Sequence, residues 1–380
     1  MLKMAIIINM NGKKTMEADL WGWFFKEHRT ASPIKHQMIE HYDKGWDAMR
    51  AERGDEAVGE FTMGLEIAKK LEEPCWQLFF EYWRAEAYHF CVEDYRKALN
   101  DIVQAAAHAH KPQYLNCAVR GRVYYTLVQI YYDIDCSGYE DKIRETLKFL
   151  KDQVPLDLDT IRRMQYLKAG IAYHQEDYDT AEREAWQYME MSSDSSHRQS
   201  DGYAILSMIE YARGNLKKSL EHCYLSEAKS IDADLQLAII DNRLQMAVIH
   251  CYLGNKQVAS NHYQQAITHQ QRLGAKPQFD YYNLICEYHE LTDNPAEALA
   301  QRQASLQAMI ESSGPDHIVK THLNYCRLLG RLGHDMTDAF QEAKKAADLL
   351  IKPAWYLAKL KQIEHGNYYQ YEWQKNHAAR

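Results

Sequence analysis

Apolar side chains recur along this chain at intervals of three and four residues, and the pattern breaks about every forty residues. Phe79, Trp83, Ala87 and Phe90 stand at i, i+4, i+8 and i+11, the spacing of one helix face. Each break is followed by a small residue that opens a second helical pattern. The clearest copies are Glu93-Asp94-Tyr95-Arg96-Lys97-Ala98, Glu176-Asp177-Tyr178-Asp179-Thr180-Ala181, Gly214-Asn215-Leu216-Lys217-Lys218-Ser219, Gly254-Asn255-Lys256-Gln257-Val258-Ala259 and Asp293-Asn294-Pro295-Ala296-Glu297-Ala298. The small residue falls at 98, 181, 219, 259 and 298, and Ala57 and Ala339 head weaker copies. From 181 to 298 the steps are 38, 40 and 39. A fixed period of this size predicts stacked helical units, each packed on its neighbours.

From Ile34 onward the pattern predicts eight helix pairs. The first holds Tyr42 and Trp46 on helix A and Phe61, Leu65 and Ala68 on helix B. The others run Trp76–His110, Gln113–Val154, Asp159–Met191, Ser200–Ser230, Asp232–Leu273, Gln278–Glu311 and Asp316–Ile351. Pro74, Pro112, Pro155, Gly274 with Pro277, Gly314 with Pro315, and Pro353 mark the breaks between pairs, where helices must stop. No strand-like alternation of useful length is present. A last helix, Ala354–Ile363, leads into Gly366-Asn367-Tyr368-Tyr369-Gln370-Tyr371, which looks like an unfinished ninth unit serving as a C-terminal cap. The organisation expected is an N-terminal extension over 1–33, repeats over 34–353, and a capping helix and tail over 354–380. The extension carries Trp21-Gly22-Trp23-Phe24-Phe25, either a cap for the first repeat's apolar face or a docking segment for a partner.

Bulk properties narrow the picture further. The 380 residues include 27 Tyr, which helical repeats use as knobs between neighbouring helices, and only 8 Pro. Net charge is −8 and no long basic run appears, so nucleic acid is not expected as a partner. No stretch of eighteen apolar residues exists, so no membrane span is expected. The apolar run in Met1–Asn9 is too short for a signal-peptide core. The eight Cys (75, 91, 117, 136, 223, 251, 286 and 326) form no C-x-x-C pair, and most lie in apolar helical patterns. That usage reads as free, buried thiols in a reducing cytoplasm.

The chain resembles a tetratricopeptide-repeat protein. The sixth unit supplies Ala247, Gly254-Asn255, Ala259, Tyr263, Ala266 and Pro277; the second supplies Tyr82, Ala85, Asp94-Tyr95, Ala98, Ala105 and Pro112. The period is nearer 40 than the family's common 34, and His89, His250 and His289 replace the helix A tyrosine in three units. The resemblance implies an all-α, right-handed superhelical solenoid of about eight antiparallel helix pairs with a capping helix.

Candidate chemistry is sparse. His108 and His110, His36 and His41, and His317 and His322 are poorly spaced for chelation on one helix face, and no H-E-x-x-H occurs. His89, His250 and His289 are expected to be packed imidazoles. Asp133-Ile134-Asp135-Cys136-Ser137-Gly138 follows the first half of an EF-hand calcium loop, but Arg144 stands where the bidentate Glu belongs. A polar inter-helix turn is expected there. No phosphate loop or nucleophile–base pair appears, so no cofactor, metal or catalytic residue is expected.

The remaining candidate is the surface that helix A residues line in this family. By position, the resemblance places there Tyr42, Trp46, Trp83, Arg84, Arg122, Tyr125, Gln129, Tyr132, Arg163, Tyr166, Tyr173 and His174 in the front half. Asp201, Asp241, Asp280, Asn283, Glu287 and Asn324 follow in the rear half. Tyr and Arg dominate binding hot spots, and an extended ligand would turn an acidic end toward Arg122 and Arg163. The expected function is a non-catalytic scaffold that binds a peptide or protein segment, with self-association left open. Alternatives are a peptide-sensing regulator resembling bacterial phosphatase and pheromone-receptor families, and an accessory subunit of an enzyme complex.

Overall fold

The computed structural model describes residues 20–51, 53–92, 94–154, 156–274, 279–312 and 314–378, with backbone alone at 279, 280, 311, 312 and 376–378. Among them every regular element is helical. After α1 (Leu20–Thr30) come eight helix pairs. They are α2 (Pro33–Arg50) with α3 (Gly54–Lys70), α4 (Pro74–Ala87) with α5 (Tyr95–Ala109), α6 (Arg120–Asp135) with α7 (Glu140–Gln153), and α8 (Leu158–His174) with α9 (Tyr178–Met191). Then follow α10 (Ser196–Ala212) with α11 (Leu216–Asp232), α12 (Gln236–Tyr252) with α13 (Lys256–Leu273), α14 (Phe279–Leu291) with α15 (Pro295–Ser312), and α16 (Pro315–Arg331) with α17 (Thr337–Ala346). The last two helices are α18 (Ala354–Glu364) and α19 (Glu372–Ala378).

The recurring turn has a direct physical basis. Helix A ends in a left-handed residue, and the next residue is the N-cap of helix B. Gly214 (φ 80°) and Gly254 (φ 78°) take that conformation, as do Glu176 (φ 62°) and Asp293 (φ 55°). The following N–H turns back on the helix: Asn215 donates to the Glu210 carbonyl at 2.8 Å and Asp177 to that of Ala172 at 2.9 Å. This pattern satisfies carbonyls that a helix end leaves orphaned. The Asp side chain then caps helix B: Asp94 Oδ1 accepts from Lys97 N at 3.0 Å, and Asp177 Oδ1 from Thr180 N at 3.1 Å. The small residue four positions after the N-cap faces the partner helix, and Ala98, Ala181, Ser219, Ala259 and Ala298 are all fully buried. A larger side chain there would push the two helices apart.

The chain divides into two compact units, Met1–Leu127 with Thr146–Thr160, and Val128–Glu145 with Ile161–Arg380. In the first, α1 lays its rings on α2 and α4: Phe24 lies 4.9 Å from Tyr42, Trp23 5.0 Å from Trp76, and Trp21 6.4 Å from Trp83. The segment Trp21–Phe25 is thus packed against its own chain. Cys75 and Cys117 form a disulfide with Cα atoms 5.0 Å apart, within the span a disulfide bridges. This corrects the expectation of eight free thiols: the bridged residues are one repeat apart, and spacing along the chain does not reveal that α4 and the segment before α6 meet. The inference of a reducing compartment loses its support with it.

In the second unit the Asp133–Gly138 segment serves the fold. Asp135 Oδ1 accepts from Gly138 N at 2.8 Å, and its Oδ2 accepts from Ile351 N at 2.7 Å and Lys352 N at 3.1 Å. Among the described residues no group of three or more His, Cys, Asp or Glu is placed to hold a metal ion. The end of the chain differs from the expected ninth unit. Beyond α18 the backbone leaves the helix at Gly366 (φ 88°), runs non-helical to Tyr371, and lays its side chains on the helix A residues of this unit.

Candidate functional site

In the first unit most of the expected groove residues are already engaged. Tyr42 and Trp83 are only 2% and 4% exposed, and Trp46 packs 5.2 Å from Trp83. Burial pushes the Tyr42 phenol pKa up. Arg84 grips Asp101 with two hydrogen bonds, Nε to Oδ2 at 2.6 Å and Nη2 to Oδ1 at 3.0 Å. Arg122 is buried, paired with Asp157 at 3.4 Å and Asp159 at 3.0 Å, and its guanidinium covers the Trp21 ring at 5.8 Å. Tyr125 is also buried. An acidic ligand end therefore does not find Arg122 waiting: the chain supplies its own carboxylates, because a buried guanidinium cannot be left unpaired.

In the second unit the expected residues separate into two groups. His174 Nδ1 stands 3.3 Å from Lys320 Nζ, between the rings of Tyr132 (6.2 Å) and Trp355 (5.7 Å). Lys320 is paired in turn with Asp316 at 2.5 Å. Burial, helped by Lys320, pushes the His174 pKa down to about 4. Asp201 accepts from the Tyr188 hydroxyl at 3.4 Å, and burial raises its pKa. Asn283 accepts from Arg302 and from Asn324, the latter at 3.1 Å. Gln129 and Asp241 are half-buried, and Arg163 and Tyr166 lie at the surface, with the Tyr166 ring 5.2 Å from Tyr188. The Asp280 side chain lies outside the described residues.

Tyr173 and Glu287 form the second group, and they meet around the Tyr368–Gln374 segment. The Tyr173 and Tyr371 hydroxyls lie 3.1 Å apart. Glu287 Oε1 accepts from Tyr211 Oη (2.7 Å), Tyr252 Oη (2.7 Å) and Gln374 Nε2 (3.0 Å). Desolvation raises the Glu287 pKa, while the two phenols act against that rise. Trp373 stacks edge-on against Tyr252 at 5.0 Å and Tyr211 at 5.2 Å. Arg331 Nη1 donates to the Tyr368 carbonyl at 2.6 Å, its Nε to Glu290 Oε2 at 2.8 Å, and its guanidinium covers the Tyr369 ring at 5.7 Å. Side chains from α8, α10, α12, α14 and α16 thus converge on one segment, the non-helical run Tyr368–Tyr371 and the first turn of α19.

The sequence reading missed Tyr211, Tyr252 and Arg331. Their signal was present: each sits in the last turn of helix A, as Tyr173 does, just before the recurring turn. Two glycines complete the site. A Cβ on Gly330 would come within 2.4 Å of the Tyr368 ring, and one on Gly214 within 2.9 Å of Trp373. The cysteines offer no nucleophile here: burial pushes the Cys136, Cys223 and Cys326 thiols up to about 12, away from the reactive thiolate.

Fold and site together define an all-α, TPR-like helical-repeat protein. No family model matches the chain, and no curated protein matches it. Among solved structures it is similar to human IFIT1 dimers. The dimer with m7Gppp-AAAA shares 14% identity over 90% of this chain and 84% of that one, with a TM-score of 0.40. The dimer with PPP-AAAA shares 15% identity over 91% and 88%, with a TM-score of 0.37. A monomeric IFIT1 mutant with m7Gppp-AAAA shares 14% identity over 91% and 84%, at 0.40. Those IFIT1 structures hold RNA. For the present chain, the exclusion of nucleic acid drawn from the acidic net charge does not stand. Net charge describes the whole chain, whereas phosphate recognition needs only a few local donors. Among the described residues no helix is long and apolar enough to cross a membrane.

Proposed function

We propose that this protein is a non-catalytic scaffold whose helix A residues bind a peptide or protein segment. One observation carries the proposal: five successive helix A elements of the second unit hold the Tyr368–Gln374 segment by aromatic packing, phenol and carboxylate hydrogen bonds, and an Arg–carbonyl contact. Aromatic residues and Arg on rigid helices are the anchors that segment recognition uses.

A random peptide library panned against the full chain carrying Tyr371→Ala and Trp373→Ala tests this, with 5′-triphosphate oligo(A) RNA as a parallel probe. The expected result is peptide binding in the micromolar range that Tyr252→Ala weakens at least tenfold. Retention of the RNA with no peptide selected would overturn it.

A further inference from the structure

We infer that the Tyr368–Gln374 segment is an exchangeable ligand of the second unit's groove. On this view the groove takes from a partner protein a segment of the same chemistry and shape: two aromatic rings two residues apart, followed by a glutamine, at the start of a helix. The inference rests on the groove function proposed above and names what the groove takes.

Four observations carry it. First, the segment is organised by itself. Tyr371 N donates to Gln374 Oε1 at 3.1 Å, and Gln374 N donates to the Tyr371 carbonyl at 3.1 Å. The pair is a capping box at the start of α19, made entirely within the segment and without the groove. Second, the segment starts where α18 ends, at a turn closed by Gly366 N and Asn367 N on the Ile363 and Gln362 carbonyls, and open surroundings at Gly366 leave this join uncovered. Third, Tyr368, Tyr371 and Trp373 are only half-buried, whereas core rings such as Phe79 and Tyr356 are fully enclosed.

The fourth observation is the chemistry of the wall. Tyr173, Tyr211, Tyr252, Glu287 and Arg331 present hydroxyl, carboxylate and guanidinium groups, all of which water satisfies once the segment departs. Gly330 sits where any side chain would meet the Tyr368 ring, so the groove is cut to the shape of this segment there. Gly330 has no need of positive φ and lies within α16, where alanine is the better helix former.

Two measurements on the full chain test the inference. In the wild type, native-state hydrogen exchange at Tyr371 and Gln374 should be at least a hundredfold faster than in the middle of α12. Exchange of these amides only with α12 would overturn exchangeability and make the segment part of the core. In the second measurement, a fluorescent synthetic peptide spanning Gly366–Lys375 is titrated into the wild type and into Tyr371→Ala/Trp373→Ala. The double variant should bind at least tenfold more tightly than the wild type, whose own segment competes, and adding Gly330→Ala should abolish the gain. Equal affinity for wild type and variant would overturn the inference. If the variant selects library peptides but not this one, the inference fails and the groove function stands. If it selects neither, the groove function fails as well.

Discussion

The Tyr263 hydroxyl lies 2.9 Å from Nε2 of His289, across the boundary between one helix pair and the next. One repeat earlier, Tyr224 stands 3.3 Å from Nε2 of His250, at the same 26-residue separation. A tyrosine on helix B thus ties down the last-turn histidine of the following helix A. His250 and His289 are thus inter-repeat fasteners, which explains their place where the family pattern has an aromatic residue.

Tyr263→Phe keeps the ring and removes the hydroxyl, leaving the buried His289 Nε2 without this partner. The expected cost is about 1 kcal/mol, read as a lower urea midpoint with an unchanged slope. A midpoint equal to that of the wild type would show that the bond contributes nothing net.

Stability should fall as the solution is acidified from about pH 6.5. Burial and Lys320 hold the His174 pKa near 4, against 6.5 for the free group. Below pH 6.5 the unfolded chain therefore binds a proton that the folded chain refuses, and the loss levels off for this group near pH 4. Across that window the contribution is roughly 3 kcal/mol. His222, His250 and His289 shift in the same direction through desolvation. Denaturation midpoints from pH 7.5 to 4.5 should show the slope, and His174→Gln should flatten it. A variant profile parallel to the wild type would remove His174 from this account.

Asp135 accepts three backbone N–H groups, and Asp135→Ala leaves those of Gly138, Ile351 and Lys352 without it. A loss of roughly 2–3 kcal/mol is expected, together with faster amide exchange at Ile351 and Lys352. Calcium should leave the wild-type melting temperature unchanged, since the carboxylate is already spent on backbone donors. A calcium-dependent rise would restore the ion-binding alternative.

The Cys75–Cys117 bridge spans 42 residues. Its reduction should lower stability by about 4 kcal/mol on the chain-entropy model. Calorimetry with and without dithiothreitol should show a shift for the wild type and none for Cys75→Ser/Cys117→Ser. An equal response from both chains would mean that the bridge is not formed in solution.

The helix pairs were legible because their determinants are local. A left-handed residue, an N-cap and a small residue four positions on lie within six residues of one another, and several repeats write them out again, as at Gly214, Asn215 and Ser219. Part of the groove was legible for the same reason, since Tyr173 and Glu287 could be placed by repeat position alone. What the sequence by itself determined is therefore the all-helical, repeating architecture and the rows of side chains that helix A presents. Tertiary structure alone decided which members of those rows are spent and which converge. Arg122 turned out to be paired with Asp157 and Asp159, Cys75 met Cys117, and the Tyr368–Gln374 segment settled among Tyr173, Tyr211, Tyr252 and Glu287. Such contacts join residues tens to nearly two hundred positions apart, and the helical period carries no record of distances between turns of the chain.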